Sequence, residues 1–268
     1  VSDDAKMTLY HIPGCPYSER VEILLQLKGL YGLVEDGEMD ISKPRPDWFL
    51  KKTLGATSMP VLDTPQGTLK ESVVILRYLD ETYPETRIAQ SDPYRHAVES
   101  MLVATDGAFV VPGYNMVKNR DLAARDTLCA AVDTQFERLN AFLLHYSPNG
   151  VYLFDDFGWA EIAFTPLFKR LCMLDYYENY EMPKKLTRVR KWREACLAHP
   201  AAQARTVEEV VKLYYDYSQG FGGGAIPTGR GVSSFTLDPH WSIRPMPPQD
   251  KWGKPATDAE LGLLPVAT

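Results

Sequence analysis

The sequence predicts a small α/β domain followed by an all-helical domain, and three observations carry that prediction. The first 85 residues alternate short β-rich runs with helical periodicity in the order β-α-β-α-β-β-α. From about Pro93 to Ser218 every periodic stretch has helical spacing instead. Finally, 268 residues with 45% apolar side chains exceed what one minimal domain needs and suffice for two cores. The boundaries fall at 1–86 for the α/β domain, 87–94 for a linker, 95–220 for the helical domain and 221–268 for a tail.

Each element has a local reason. MTLYHI (7–12) reads as a strand, and SERVEILLQLKG (18–29) as a helix with Val21, Leu24, Leu25 and Leu27 inward and Gly29 at its C-terminal end. VEDGEMDI (34–41) is a second strand, and PDWFLKKTLG (46–55) a short helix opened by Pro46 and closed by Gly55. PVLDT (60–64), the turn Pro65-Gln66-Gly67 and TLK (68–70) form a hairpin. ESVVILRYLDETY (71–83) is a helix stopped by Pro84. Five helical stretches follow: 94–111, 124–146, 159–177, 186–199 and 206–218. The tail holds seven prolines and seven glycines yet keeps Phe235, Trp241, Met246 and Trp252, so it is expected to be irregular but pinned to the helical domain by these side chains.

Charge and cysteine usage narrow the function. Lys plus Arg number 29 against 35 for Asp plus Glu, a net −6 with the two signs interspersed, which offers no footprint for nucleic acid or an anionic membrane. No apolar run reaches the ~18 residues of a membrane span, and VSDDAKMTLYH lacks the regions of a signal peptide, so a cytoplasmic protein is expected. Cys15, Cys129, Cys172 and Cys196 have neither paired nor metal-ligand spacing; four free thiols and no metal are expected.

Of these cysteines only Cys15 stands at a helix mouth, in HIPGCPYSER, just after a strand and before Pro16. Unpaired first-turn N–H groups and the helix dipole there favour a thiolate. Ser18 occupies the place of the second thiol of a CxxC redox pair, so a mixed disulfide on Cys15 must be resolved by a thiol from solution. In SMPVL (58–62), Pro60 begins a strand where a thioredoxin-like fold sets its cis-proline beside the active thiol, freeing the backbone of Met59 to pair with an extended peptide. Glu71-Ser72 then opens a helix, where N–H groups and a hydroxyl can hold a carboxylate and Glu71 an ammonium.

GCPYSER, KPRPDWFLKK, SMPVLD and KESVVILRYLDETYP stand in the order and near the spacing of the cytosolic glutathione transferases, and the chain resembles their omega class, which carries cysteine at the active position. The resemblance implies a thioredoxin-like glutathione-binding domain, an all-α substrate domain and a homodimer. It assigns Cys15 as the reactive thiol, Met59 with Pro60 to the cysteinyl backbone of glutathione, Glu71 and Ser72 to its γ-glutamyl end, and Arg45 to its glycyl carboxylate. One departure is Gly158-Trp159-Ala160-Glu161, where the family has a Ser/Thr-x-x-Asp capping box; glycine cannot accept the side-chain bond.

Toward the C-terminus, LFDDFGWAEIAFTPLFKRL, KLYYDYSQG and RPMPPQDKWG are similar to the bacterial glutathione lyases of lignin β-aryl ether degradation. That likeness implies removal of glutathione from an α-keto aromatic thioether, giving a phenylpropanone and glutathione disulfide. The leaving carbanion is an enolate that wants a donor, and the last helix offers Tyr214, Tyr215 and Tyr217; the resemblance points to Tyr217, with Tyr17 and Tyr214 as alternatives. The same Cys15 would serve a general thioltransferase or dehydroascorbate reductase, and a fold-sharing binding protein without turnover is the third reading.

Overall fold

The computed structural model describes residues 6–264; the first five residues of the predicted N-terminal domain and the last four of the tail lie outside them. Four strands, β1 (Met7–His11), β2 (Val34–Glu38), β3 (Val61–Thr64) and β4 (Gly67–Lys70), make one mixed sheet in the order β2-β1-β3-β4. β1 and β2 run parallel, with Leu9 opposite Asp36, whereas β3 lies antiparallel to both β1 and β4, with Leu9 opposite Leu62 and Leu62 opposite Leu69. Helices α1 (Pro16–Lys28), α2 (Asp47–Lys52) and α3 (Ser72–Thr82) complete the predicted β-α-β-α-β-β-α order. Alternation along β1 divides its side chains: Met7 and Leu9 join the core under α1 and α3, while Tyr10 packs with Ile12, Phe49 and Met59 on the opposite face.

The second domain comprises α4 (Pro93–Val103), α5 (Asp106–Lys118), α6 (Arg125–Tyr146), α7 (Trp159–Tyr177), α8 (Thr187–Ala198), α9 (Val207–Leu213) and α10 (Tyr215–Ser218). Two predicted helices are each split. The run over 94–111 breaks at Ala104-Thr105, and its second part continues through Pro112, which gives up a single ladder bond. The run over 206–218 turns at Tyr214 (φ −88°, ψ 13°), which ends α9 before α10 begins. α7 is buried almost throughout and forms the spine against which α1, α4, α5, α8 and α9 pack.

The tail is irregular, and three of its four expected anchors are in place. Phe235 and Trp241 are buried and Trp252 is half-buried, whereas Met246 is 41% exposed and pins nothing. Buried cations add to the aromatic anchors: Lys251 donates to the carbonyls of Met116, Val117 and Asn119 at the end of α5, while Arg244 braces the tail internally through those of Ser234 and Pro239. The tail also reaches the first domain, since Gly224 packs on the backbone of Ile41 and Ser42. It bridges both domains rather than coating the helical one.

Candidate functional site

Cys15 is the N-cap of α1, half-buried, with Pro16 at the first helical position. Its N–H donates to Ile12 O (3.0 Å) and its carbonyl accepts from Glu19 N–H (3.1 Å), so the turn out of β1 fixes where the sulfur stands. The thiol points at Met59 O, 4.0 Å from Sγ. The Met59-Pro60 peptide is cis, as the sequence predicts, and the N–H of Met59 has no partner among the described residues.

Glu71 caps α3 at φ 68°, ψ 116°, a left-handed conformation costing a non-glycine residue about 1–3 kcal/mol and held where the surroundings demand it. It leaves Glu71 exposed and the first turn of α3 open. Ser72, buried beside it, accepts from Arg20 Nη1 (3.2 Å), so its own proton remains available to a ligand. Tyr17, Met59, Pro60, Glu71, Ser72 and Asp106 line one cleft of about 390 Å³ with Arg20. Four predicted binding residues therefore meet beside Cys15. An extended peptide seated there would find a free N–H at Met59, a hydroxyl and helix N–H groups for its carboxylate, and carboxylates for its ammonium.

Arg45 lies beside this cleft rather than among its lining residues. Its guanidinium donates to the carbonyls of Asp40 (3.0 Å), Lys43 (3.2 Å) and Thr57 (3.4 Å) and lines a neighbouring groove with Tyr10, Trp48 and Leu237. Its visible role is to hold the loop between β2 and α2.

Sequence reasoning missed Arg20, Asp106, Arg170 and Tyr114. Arg20, 1% exposed, ties Ser72 to Asp106 (2.7 Å) of α5 and to Ala163 O (2.9 Å) of α7. Arg170 of α7 donates through Nε and Nη2 to Gly14 O (3.1 and 2.6 Å), gripping the residue before the thiol, and pairs with the buried Glu19, which Lys169 also contacts. Burial pushes against the Arg170 charge, but Glu19 raises it above its ordinary value; burial wins at Lys169, which is lowered. Tyr114 of α5 shares a hydroxyl contact with Tyr214 (3.2 Å). Each acts across more than fifty positions, and no local motif announces such a contact.

The two candidate donors of the last helix differ. Tyr214 is buried and its hydroxyl is engaged with Gly14 O (3.3 Å) and Tyr114. Tyr217 is half-buried; its oxygen accepts from Gly223 N–H (3.3 Å), and its own proton has no acceptor among the described residues. Burial raises both phenols above the ordinary tyrosine value, as it does Tyr17. Tyr217 also packs against Tyr114, Tyr214 and Phe235, with ring centroids at 5.6, 4.8 and 5.8 Å. Among the described residues no cluster of side chains could hold a metal ion, and no helix is long and apolar enough to cross a membrane.

Residues 9–87 match the family described as glutathione S-transferase, N-terminal domain. Glutathione S-transferase omega-1 of Mus musculus is 28% identical over 223 residues, covering 80% of this chain and 85% of the mouse protein. Among solved structures, rice GST1 in complex with glutathione superposes with a TM-score of 0.71 at 17% identity, over 82% of this chain and all of that one. Dehydroascorbate reductase of Chlamydomonas reinhardtii gives 0.61 at 20%, over 80% of this chain and all of that one. The chain has the glutathione transferase fold: a thioredoxin-like domain with a four-stranded mixed sheet, followed by a helical domain.

Proposed function

We propose that this enzyme of the glutathione transferase superfamily is an omega-type, glutathione-dependent lyase that removes glutathione from α-keto aromatic thioethers. The Cys15 thiolate attacks the sulfur of a glutathione thioether bound along Met59, Glu71 and Ser72. A sulfur–sulfur bond forms between Cys15 and glutathione as the carbon–sulfur bond breaks, and the carbon leaves with the bonding pair, which the adjacent carbonyl takes up as an enolate. A donor at the enolate oxygen lowers that barrier, and protonation at carbon completes the ketone. The thiolate of a second glutathione attacks the mixed disulfide, releasing glutathione disulfide and restoring Cys15. The carbon gains two electrons, and two glutathione sulfurs supply them.

The observation that carries this reading is the Tyr217 hydroxyl: half-buried, its ring 4.8 Å from that of Tyr214, which reaches the carbonyl just before Cys15, its oxygen satisfied by Gly223 and its proton uncommitted. A thioltransferase has no need of such a donor, because its leaving group is a thiolate. The likeness to a dehydroascorbate reductase and the buried Ser18 in place of a second thiol fit the thioltransferase reading equally, so the test must separate the two. Tyr217→Phe should slow single-turnover cleavage of an α-keto thioether by roughly 10²-fold, the scale of one lost oxyanion donor, while reduction of a glutathione mixed disulfide changes little. Equal losses on both substrates, or none, would overturn the lyase assignment in favour of the thioltransferase. The enzyme is proposed to act in the reducing cytoplasm as a homodimer; light scattering at the monomer mass across micromolar concentrations would contradict the latter.

A further inference from the structure

The uncommitted proton of Tyr217 depends on a segment outside both domains. After α10 the chain passes through Gly222-Gly223-Gly224, crosses the Tyr217 ring and lands on the loop that follows β2. Gly222 passes close against the phenol, where an added Cβ would come within 3.2 Å of Cζ and 3.5 Å of the oxygen. Gly223, at φ 64°, turns its N–H onto that oxygen at 3.3 Å. Gly224, at φ 79°, meets Ile41 and Ser42, where a Cβ would stand 3.0 Å from their backbone. Two left-handed positions and two close backbone approaches in three residues leave little choice but glycine.

We propose that this glycine strap is the positioning element for Tyr217: the Gly223 N–H occupies the phenol oxygen, and the close passage of Gly222 fixes the ring, so that the hydroxyl proton is directed to the substrate. A hydroxyl rotor with both lone pairs free would donate to whichever acceptor or water came near. With one lone pair engaged, the remaining orientations are fewer. As an enolate forms and draws on the proton, negative charge builds on the phenol oxygen, and the same N–H stabilises it, as a backbone donor does at a developing oxyanion. Tyr114, Tyr214 and Phe235 pack against the ring but make no hydrogen bond to its oxygen, so the strap is its single polar contact among the described residues.

This proposal rests on Tyr217 being the enolate donor, and the experiment keeps the two apart. Gly222→Ala crowds the ring without requiring a left-handed backbone; replacing Gly223 with glycolic acid exchanges its N–H for an ester oxygen, at the cost only of a weaker Gly222 carbonyl acceptor for Ala225 N–H (3.2 Å). Both variants should lose about 3- to 10-fold in kcat on an α-keto thioether, the equivalent of one backbone hydrogen bond, with KM and mixed-disulfide reduction unchanged. In a Tyr217→Phe background neither change should cost anything more, because the oxygen they act upon is gone. If Tyr217→Phe is slow but both strap variants match the parent, the strap has no positioning role and the donor reading stands. If the strap variants lose on both substrates alike, or lose again in the Phe background, the segment is only structural and the proposal falls. If Tyr217→Phe is as fast as the parent, donor and strap fall together.

Discussion

The thiol at position 15 is defined as much by what its neighbour lacks as by its own placement. Ser18 is fully buried in the first turn of α1, and its hydroxyl has no partner among the described residues. Exchange for a thiol sacrifices no hydrogen bond there and changes volume little. Ser18→Cys should therefore fold and, once Cys15 carries glutathione, release it from within the protein. The adduct seen by intact-mass spectrometry should then disappear without added thiol, whereas in the parent it persists until glutathione is supplied. An adduct that outlasts the wait equally in both would show that position 18 cannot reach Cys15. Cys15→Ser should lose thioether cleavage and adduct formation entirely, since a neutral hydroxyl is a poor nucleophile toward sulfur. An unchanged thermal midpoint beside it would separate lost chemistry from lost fold.

Among the elements, α7 shows how a missing cap is compensated. Gly158 cannot accept a side-chain bond, yet Glu161 supplies the returning half of the box, accepting from Gly158 N–H (3.0 Å) and also from Leu153 N–H and Trp192 Nε1 (both 2.7 Å). Burial raises the carboxyl, and these three donors work against that. Glu161→Ala would orphan three buried donors, so a loss of roughly 3 kcal/mol or more is expected by denaturant titration, with m unchanged. A loss below about 1 kcal/mol would mean water replaces the carboxylate. The elements of the first domain were legible because each is punctuated: Pro16, Gly29, Pro46, the Pro65-Gln66-Gly67 turn and Pro84 sit at or next to an end. The break between α4 and α5 was not, because Ala104-Thr105 carries no such signal and Pro112, which does, lies inside a helix. Legibility of the site divides in the same way. Cys15, Met59-Pro60 and Glu71-Ser72 are read from adjacent residues, whereas Arg20, Asp106 and Arg170 owe their places to packing between domains.

Across the whole molecule the two domains and the tail are joined by a chain of charges behind the sheet. His11, at the end of β1 and buried, faces Glu22 of α1 (Nδ1, 3.2 Å) and the more exposed Asp36 of β2 (Nε2, 2.5 Å). Glu22 also faces Arg205, which precedes α9 (3.6 Å), and the Arg205 guanidinium lies over Trp241 of the tail, 5.1 Å from the ring centre. Burial disfavours the His11 cation, but Glu22 and then Asp36 outweigh it and raise the imidazole above its ordinary 6.5. Burial likewise disfavours the Glu22 carboxylate, yet His11 and Arg205 bring it below its ordinary 4.5. The signs then set a window. The His11 contribution is complete below pH 6.5 and is lost as pH rises through its raised folded value; the Glu22 contribution is complete above pH 4.5 and is lost as pH falls through its lowered one. Stability drawn from the pair is greatest between those two values and declines on the alkaline side. His11→Gln keeps a polar side chain but removes the titration, so its unfolding free energy should fall furthest below that of the parent near pH 5.5 and approach the parent as pH rises. Denaturant titrations of both proteins at intervals from pH 5 to pH 9 would measure that difference. One that stays constant, or widens with pH, would show that His11 is neutral in the folded protein and that the junction is held by packing around Trp241 instead.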